Sequence, residues 1–393
     1  MPDIRIPTGL DDLTPEWLSA VLAPHYPGRV AALDVSPIGT GQIADSARLG
    51  ITWDDRGGGP DSPAAPLGVP GAGPLSPDAR PDSLVAKVTA ASEDSRQAGL
   101  TTRTYEVEVG FYSSLAADLP VRTPRCYWAG FDPAEAAYCV VLEDVAPAHQ
   151  GDQVGGCSTD EAAAALDELA LLHAPRWGDP TLAQLSWLQA GGRDRGAGIG
   201  AFLSVFLPGF LERYATRMTP EVVELIPRFL AVMERYGTEA AAVAGRGRAG
   251  AEAGGGAGRP STVLHGDFRN DNLMFGLDRV VVLDWQTVTL GAALSDVSYF
   301  LGGSLLPDIR RSAERDLVRH YWDRLAAHGV DLDWERCWED YRRYAFAGLI
   351  MAMFASMVVT RTERGDAMFV AMADRAGLHA LDMDALSLVP KEA

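Results

Sequence analysis

Apolar positions in the first third of the chain alternate in short runs, whereas later they recur every three or four residues. The alternating runs, Val30 to Pro37, Ala47 to Trp53, Ser83 to Thr89, Cys126 to Phe131 and Tyr138 to Leu142, predict half-buried β-strands. A short helix is expected to open at Thr14-Pro15-Glu16, where Thr can cap and Pro suits the first turn, and a longer one to run from Ser95 to Ala117. From Thr159 onward the spacing predicts helices over Asp160 to His173, Ala201 to Met218, Pro220 to Tyr236, Arg310 to His328 and Trp334 to Val359. Only two short apolar runs, Thr262 to Leu264 and Val280 to Leu283, read as strands in this half.

Two stretches break the pattern: Asp54 to Ser83, rich in Gly, Pro and Asp, and Ala244 to Pro260, nearly all Gly, Ala and Arg. Both are expected to be flexible loops, the first an insertion between two strands. The longest apolar run, Ala345 to Val359, is shorter than the roughly 20 residues that cross a bilayer, so it reads as a buried core helix and no membrane association is expected.

The chain has 393 residues, 47% hydrophobic and 22% charged, enough to bury a sizeable core. A formal net charge of -19, with no clustered Lys or Arg, argues against a nucleic-acid partner. The four cysteines, Cys126, Cys139, Cys157 and Cys337, lack the spacing of a zinc knuckle or a disulfide framework, and the N-terminus lacks the basic and apolar regions of a signal peptide. A cytoplasmic protein is expected.

Chemistry enters with the residues directly after the two late strands: His265-Gly266-Asp267-Phe268-Arg269-Asn270-Asp271-Asn272 after the first, Asp284-Trp285-Gln286 after the second. The two strands read as one hairpin delivering Asp267, Asn272 and Asp284 together. Phosphoryl transfer needs an oxygen acceptor beside the attacking hydroxyl and oxygen ligands that hold magnesium on the phosphates, and these three supply that set. The spacing matches the H-R-D-x-x-x-x-N and D-F-G arrangement of kinases, with Gly for Arg and Trp-Gln for Phe-Gly. Upstream, Lys87 alternates with apolar neighbours in a strand, where its ammonium can reach α- and β-phosphates. Gly39 and Gly41 sit between two strands, where backbone can close over phosphates without a Cβ in the way. Leu142 to Ala146 comes after the last strand of the sheet region and is the expected hinge, with backbone groups of Glu143 and Val145 pairing with adenine.

With the H-G-D-x-x-x-x-N motif, the segments Gly39 to Ser46, Val85-Ala-Lys87-Val, Tyr105 to Tyr112, Leu142-Glu-Asp144 and Leu172-His-Ala174 make the chain resemble the aminoglycoside phosphotransferase and choline kinase superfamily, closest to its ecdysteroid-kinase-like branch. The resemblance spans nearly the whole chain. It implies an α+β, protein-kinase-like two-lobed fold, with a small antiparallel-sheet N-lobe carrying one helix (1–145) and a larger, mainly helical C-lobe (146–393). The implied activity is ATP-dependent transfer of a γ-phosphate to a hydroxyl of a small molecule. Asp267 would orient the hydroxyl and accept its proton, Lys87 would anchor the phosphates, and Mg2+ ions would be held by Asn272 and Asp284. Glu108, three residues before Phe111-Tyr112, is preferred to Glu106 as the partner of Lys87. His265, Arg269 and Asp296 are assigned to loop support, and Gly151-Asp152-Gln153 to a turn. Trp322, Trp334, Trp338 and Tyr344 read as core.

Three narrower or rival readings remain: an aminoglycoside-type antibiotic kinase, a nucleotide-binding pseudokinase and a protein kinase. The last is disfavoured because only a dozen residues separate Asp284 from Asp296, too few for an activation segment.

Overall fold

The structure is a computed structural model that describes residues 4–39, 43–54, 79–189, 194–238 and 260–390. Gly41 and most of the two Gly-rich segments expected to be flexible lie outside the described residues. By contacts the chain divides into two compact units, 1–105 with 124–144, and 106–123 with 145–393.

The first unit is built on an antiparallel sheet of five strands, β1 (Arg29–Pro37), β2 (Ala44–Asp54), β3 (Ser83–Thr89), β4 (Cys126–Asp132) and β5 (Ala137–Glu143), in the order β1-β2-β3-β5-β4. Alternate residues Leu49, Leu84, Ala86, Val88, Cys139 and Val141 form a buried face with Leu18, Val21 and Leu22 of helix α1 (Pro15–Leu22). The Thr14 hydroxyl caps α1 by accepting from the Trp17 N–H at 3.2 Å. Period-2 patterning therefore places Lys87 on the opposite face, level with Ser46 and Val140 on the neighbouring strands. The expected helix at 95–117 is instead two, α2 (Glu93–Thr101) and α3 (Thr104–Ser114), because Arg103 between them takes a left-handed φ of 59°.

The second unit is mainly helical. After α3 it contains α4 (Thr159–His173), α5 (Ser186–Gln189), α6 (Asp194–Tyr214), α7 (Pro220–Leu230), α8 (Leu294–Ser304), α9 (Pro307–Ala327), α10 (Trp334–Arg343), α11 (Ala347–Val358) and α12 (Glu363–Asp382). The expected continuous helix over 334–359 is broken into α10 and α11 by a 3-10 turn at Tyr344–Phe346. Tyr344 is buried as expected, but Trp322, Trp334 and Trp338 are only half-buried and stack with Arg315 and Arg319. Among the described residues, no helix is long and apolar enough to cross a membrane. The four cysteines are free.

The single hairpin expected around the motif is corrected. The strand β7 (Thr262–Leu264) pairs with β10 (Thr289–Gly291), while β9 (Val281–Val282) pairs with β8 (Leu273–Phe275), itself beside β6 (His149–Gln150). Three-residue strands are too short to show alternation, so β8 and β10 carry no periodic signal. The loop 265–272 thus bridges two separate small ladders.

From Glu106 on, helix α3 groups with the second unit, where its Phe111 ring stacks on Trp285 with centroids 3.9 Å apart and planes 4° from parallel. Immediately before Phe111, Gly110 lies so close to the Trp187 ring that a Cβ there would meet its Cδ2 at 2.4 Å. Gly110→Ala is therefore expected to cost about 1 to 3 kcal/mol by overpacking, outweighing the helix propensity of roughly 1 kcal/mol that alanine gains. A urea midpoint equal to that of the native protein would show that Trp187 gives way.

Candidate active site

The loop after β7 is organised by a carboxylate that is only 2% exposed. Asp296, in the first turn of α8, accepts the His265 N–H at 2.7 Å on Oδ2 and the Gly266 N–H at 3.1 Å on Oδ1. His173 Nε2 lies 3.3 Å from the same Oδ2, and its Nδ1 is 2.8 Å from the Tyr321 hydroxyl. Burial of a carboxylate is tolerated because these donors replace the water it loses. Gly266 is obligatory at its place, since φ is +81° and a Cβ would meet the Thr287 carbonyl oxygen at 2.5 Å.

The His265 ring is fully buried and works within the loop. Its Nδ1 accepts the Asp267 N–H at 3.2 Å, so Nε2 carries the proton and donates to the Leu283 carbonyl at 2.8 Å. The ring also packs edge-on to Phe268 and beside Trp285. These contacts tie the motif loop to the strand end that carries Asp284.

Three donors converge on the Asp267 carboxylate, whose side chain is 14% exposed. Tyr299 of α8 donates to Oδ1 at 2.5 Å, and Arg269 Nε donates to Oδ2 at 3.1 Å. Asn272 Nδ2 donates to Oδ2 at 3.0 Å and to the Asp267 carbonyl at 2.9 Å. The Leu283 N–H donates to the Asn272 carbonyl at 2.8 Å, bringing the chain just before Asp284 alongside. Asp284 adopts a left-handed conformation (φ 65°), which Asp tolerates better than most residues, and its Oδ2 accepts from the Gln286 amide at 3.2 Å. Asp267, Arg269, Asn272, Asp296 and His265 thus form one connected cluster.

Arg269, expected to support the loop, bridges Asp267 and Asp271, reaching the latter at 2.9 Å and touching the Met368 sulfur at 3.4 Å. Burial disfavours its charge, but the neighbouring Asp267, Tyr299 and Asp271 outweigh this and hold its pKa above the ordinary arginine value. Asp271 is buried, a change that raises a carboxyl pKa, yet hydrogen bonds from Arg364 and the charge of Arg269 bring it below its ordinary value. Asp271 also accepts the Gln153 N–H at 2.9 Å, while Gln153 Oε1 accepts the Asn270 N–H at 2.9 Å. Gly151-Asp152-Gln153 is therefore more than a turn: it is a buckle under the loop. Arg375 of α12 closes it from below, donating to the Gln153 carbonyl at 2.9 Å and to the Val154 carbonyl at 2.5 Å.

The remaining expected residues stand on other elements. Glu108 is 1% exposed, one turn before the Phe111 that stacks on Trp285, whereas Glu106 is half-buried. Lys87 stands on the sheet of the first unit, and Gly39 is exposed with φ +71°. At the expected hinge, the Glu143 N–H donates to the Arg125 carbonyl at 2.8 Å and the Val145 carbonyl accepts the Ala148 N–H at 3.0 Å, so these two groups are already engaged. Asp144 is held by Arg48 at 2.6 Å and Ser83 at 2.8 Å. Among the described residues, no three His, Cys, Asp or Glu side chains converge as a metal cage.

Tyr299, Arg364, Met368 and Arg375 are not legible as site residues in the sequence pattern. Tyr299 carries the one usable signal, since it lies three residues after Asp296 on the same helix face. The start of α12 is signalled by Thr362, which caps the helix through Gly365, with the acidic Glu363 and Asp366 close behind.

The profile of the ecdysteroid kinase-like family matches residues 213–334, under a third of the chain but including the whole motif loop and Asp284. No curated protein matches. Among solved structures, choline kinase from Cryptosporidium parvum Iowa II shares 9% identity over 91% of this chain and 92% of its own, with a TM-score of 0.50. Ethanolamine kinase from Plasmodium vivax shares 9% over 92% and 86%, at 0.49. A macrolide 2'-phosphotransferase from Brachybacterium faecium shares 15% over 91% and 97%, at 0.44. The choline kinase match establishes the α+β kinase-like fold, and with the family profile it bears out the likeness to the aminoglycoside phosphotransferase and choline kinase superfamily.

Asp296→Asn tests the loop's anchor, because an amide nitrogen would replace one of two oxygens that each accept a backbone N–H. A loss of about 2 to 3 kcal/mol in chemical denaturation is expected, typical for hydrogen bonds to a buried charge. A smaller loss, under about 0.5 kcal/mol, would mean that the loop is held by other contacts.

Proposed function

We propose that the protein is an ATP-dependent small-molecule kinase, transferring the γ-phosphate to a hydroxyl. The observation that carries this reading is the Asp267 carboxylate, fixed on a braced loop and hydrogen-bonded to Asn272, with the chain before Asp284 bonded to that same Asn. Loops of this kind work by positioning and charge rather than by covalent chemistry.

The donor set fits magnesium. Asn272 spends its amide nitrogen on Asp267, leaving its amide oxygen as a ligand, and Asp284 adds a carboxylate. Magnesium is commonly held by one or two protein oxygens, with phosphate oxygens and water completing its shell, so the lack of a larger acidic cage among the described residues suits it. When bound, the ion neutralises charge on the phosphates.

The rest falls to the chain's own side chains. Asp267 accepts a hydrogen bond from the acceptor hydroxyl, aligns its oxygen in line with the γ-phosphorus, and takes the proton as the new P–O bond forms and the bond to ADP breaks. Lys87 binds the α- and β-phosphates. Glu108 is preferred to Glu106 as its partner because it lies three residues before Phe111-Tyr112. Gly39 and Gly41 are assigned to phosphate contact and Glu143 and Val145 to adenine, through backbone groups other than the two already engaged. His265 and Asp296 hold the loop.

Incubating the purified protein with magnesium and γ-labelled ATP against aminoglycosides, choline, macrolides and sterols tests the reading. Acceptor-dependent label transfer is expected, falling about 100- to 10,000-fold in Asp267→Ala with ATP affinity changed only a few-fold. Full transfer by that variant would overturn the role of Asp267, and ATP binding without transfer to any acceptor would favour a pseudokinase. In the same assay, Lys87→Ala should raise the KM for ATP about tenfold or more, as expected on losing a charge-assisted contact. An unchanged KM would remove Lys87 from the nucleotide site.

A further inference from the structure

A carboxylate offers about four lone-pair directions, two on each oxygen. At Asp267, Arg269 Nε and Asn272 Nδ2 both donate to Oδ2, and the Tyr299 hydroxyl donates to Oδ1. Oδ2 is therefore saturated by side chains of the loop itself. One direction remains, and it is on Oδ1, next to the tyrosine.

We propose that Tyr299 is a positioning residue for phosphoryl transfer: by occupying one lone pair of Asp267 Oδ1 it leaves a single direction along which an acceptor hydroxyl can be taken. The inference rests on the role proposed above for Asp267. In the transfer, the acceptor O–H bond breaks, its proton goes to Oδ1, and the acceptor oxygen bonds phosphorus as the bond to ADP breaks. The phenol remains a donor throughout and is neither consumed nor ionised.

Three features of the surroundings support this. Tyr299 is 5% exposed, so its hydroxyl is largely withdrawn from solvent. Burial, and after it the negative charge of Asp267, pushes the phenol well above its ordinary pKa and keeps the proton in place. The ring is mounted on α8, the helix whose Asp296 anchors the two residues just before Asp267. One rigid helix thus sets both the height of the loop, through Asp296, and the rotation of the Asp267 carboxylate, through Tyr299. Arg269 holds the opposite oxygen and is itself fixed by Asp271 at 2.9 Å. Without the phenol, the carboxylate would be pinned on one side only and free to turn.

Water can serve as the acceptor, so the test needs no identified substrate. Magnesium-ATP hydrolysis by the full chain is measured with γ-labelled ATP for the native protein, Tyr299→Phe, Asp267→Asn and the double variant. Tyr299→Phe is expected to lower kcat about tenfold to hundredfold, the range for one hydrogen bond to a charged group, with the KM for ATP within about twofold of native. In the Asp267→Asn background, the same change is expected to lower kcat by less than about twofold, because Tyr299 acts through that carboxylate. An unchanged kcat in Tyr299→Phe overturns the proposal, as does an equal proportional loss in both backgrounds, which would mark a packing role. Undiminished hydrolysis by Asp267→Asn alone would instead sink the underlying reading of Asp267. Circular dichroism melting confirms that each variant is folded. Tyr299→Met, which fills the ring's space without a donor, replaces Tyr299→Phe if the latter does not fold.

Discussion

Asp296 sits where water cannot reach it, and its two oxygens are committed to the backbone N–H groups of His265 and Gly266. A buried charge is stable only while its partners stay in place, so this carboxylate and the start of the motif loop fix one another. The consequences run outward in order. The held backbone aims His265 at the Leu283 carbonyl, which draws in the strand end before Asp284, and presents Asp267 to Tyr299, Arg269 and Asn272. The polar groups at the start of the loop are thus positioned by one another, and Asp267 Oδ1 keeps one direction open.

Aromatic stacking performs a parallel task for helix α3. The face-to-face contact of Phe111 with Trp285 binds that helix, and Glu108 with it, to the segment beginning at Asp284. Ring stacks of this kind add about 0.5 to 1.5 kcal/mol beyond the area they bury. This explains why residues 106–123 group with the helical unit although the neighbouring sequence on either side belongs to the sheet unit.

Much of this is readable from the residues alone, for physical reasons. The five sheet strands are long enough to alternate, and Lys87 falls at its position by parity, level with Ser46 and Val140. The motif is legible because Asp267, Asn272 and Asp284 lie close together in the sequence, as do the bonds that join Asn272 to Asp267 and to Leu283. What cannot be read depends on partners distant in sequence. Arg269 touches Asp267 and Asp271 nearby, but its fixed position depends also on Met368, and Gln153 gains its purpose only beside Asn270 and Asp271. The two small ladders look like one hairpin in the sequence because β8 and β10 are three residues each. The break at Arg103 comes from a backbone conformation that arginine seldom adopts.

The buckle beneath the loop also dictates an order of assembly. Asp271 is paired with Arg364, 93 residues further along, and Gln153 is capped by Arg375 at a separation of 222. Contacts so distant in sequence form late, after the intervening chain has been made and its loop entropy spent. The motif loop is therefore complete only once α12 has packed against it. Until then Asp271 has Arg269 but not Arg364, and the Gln153 carbonyl lacks Arg375.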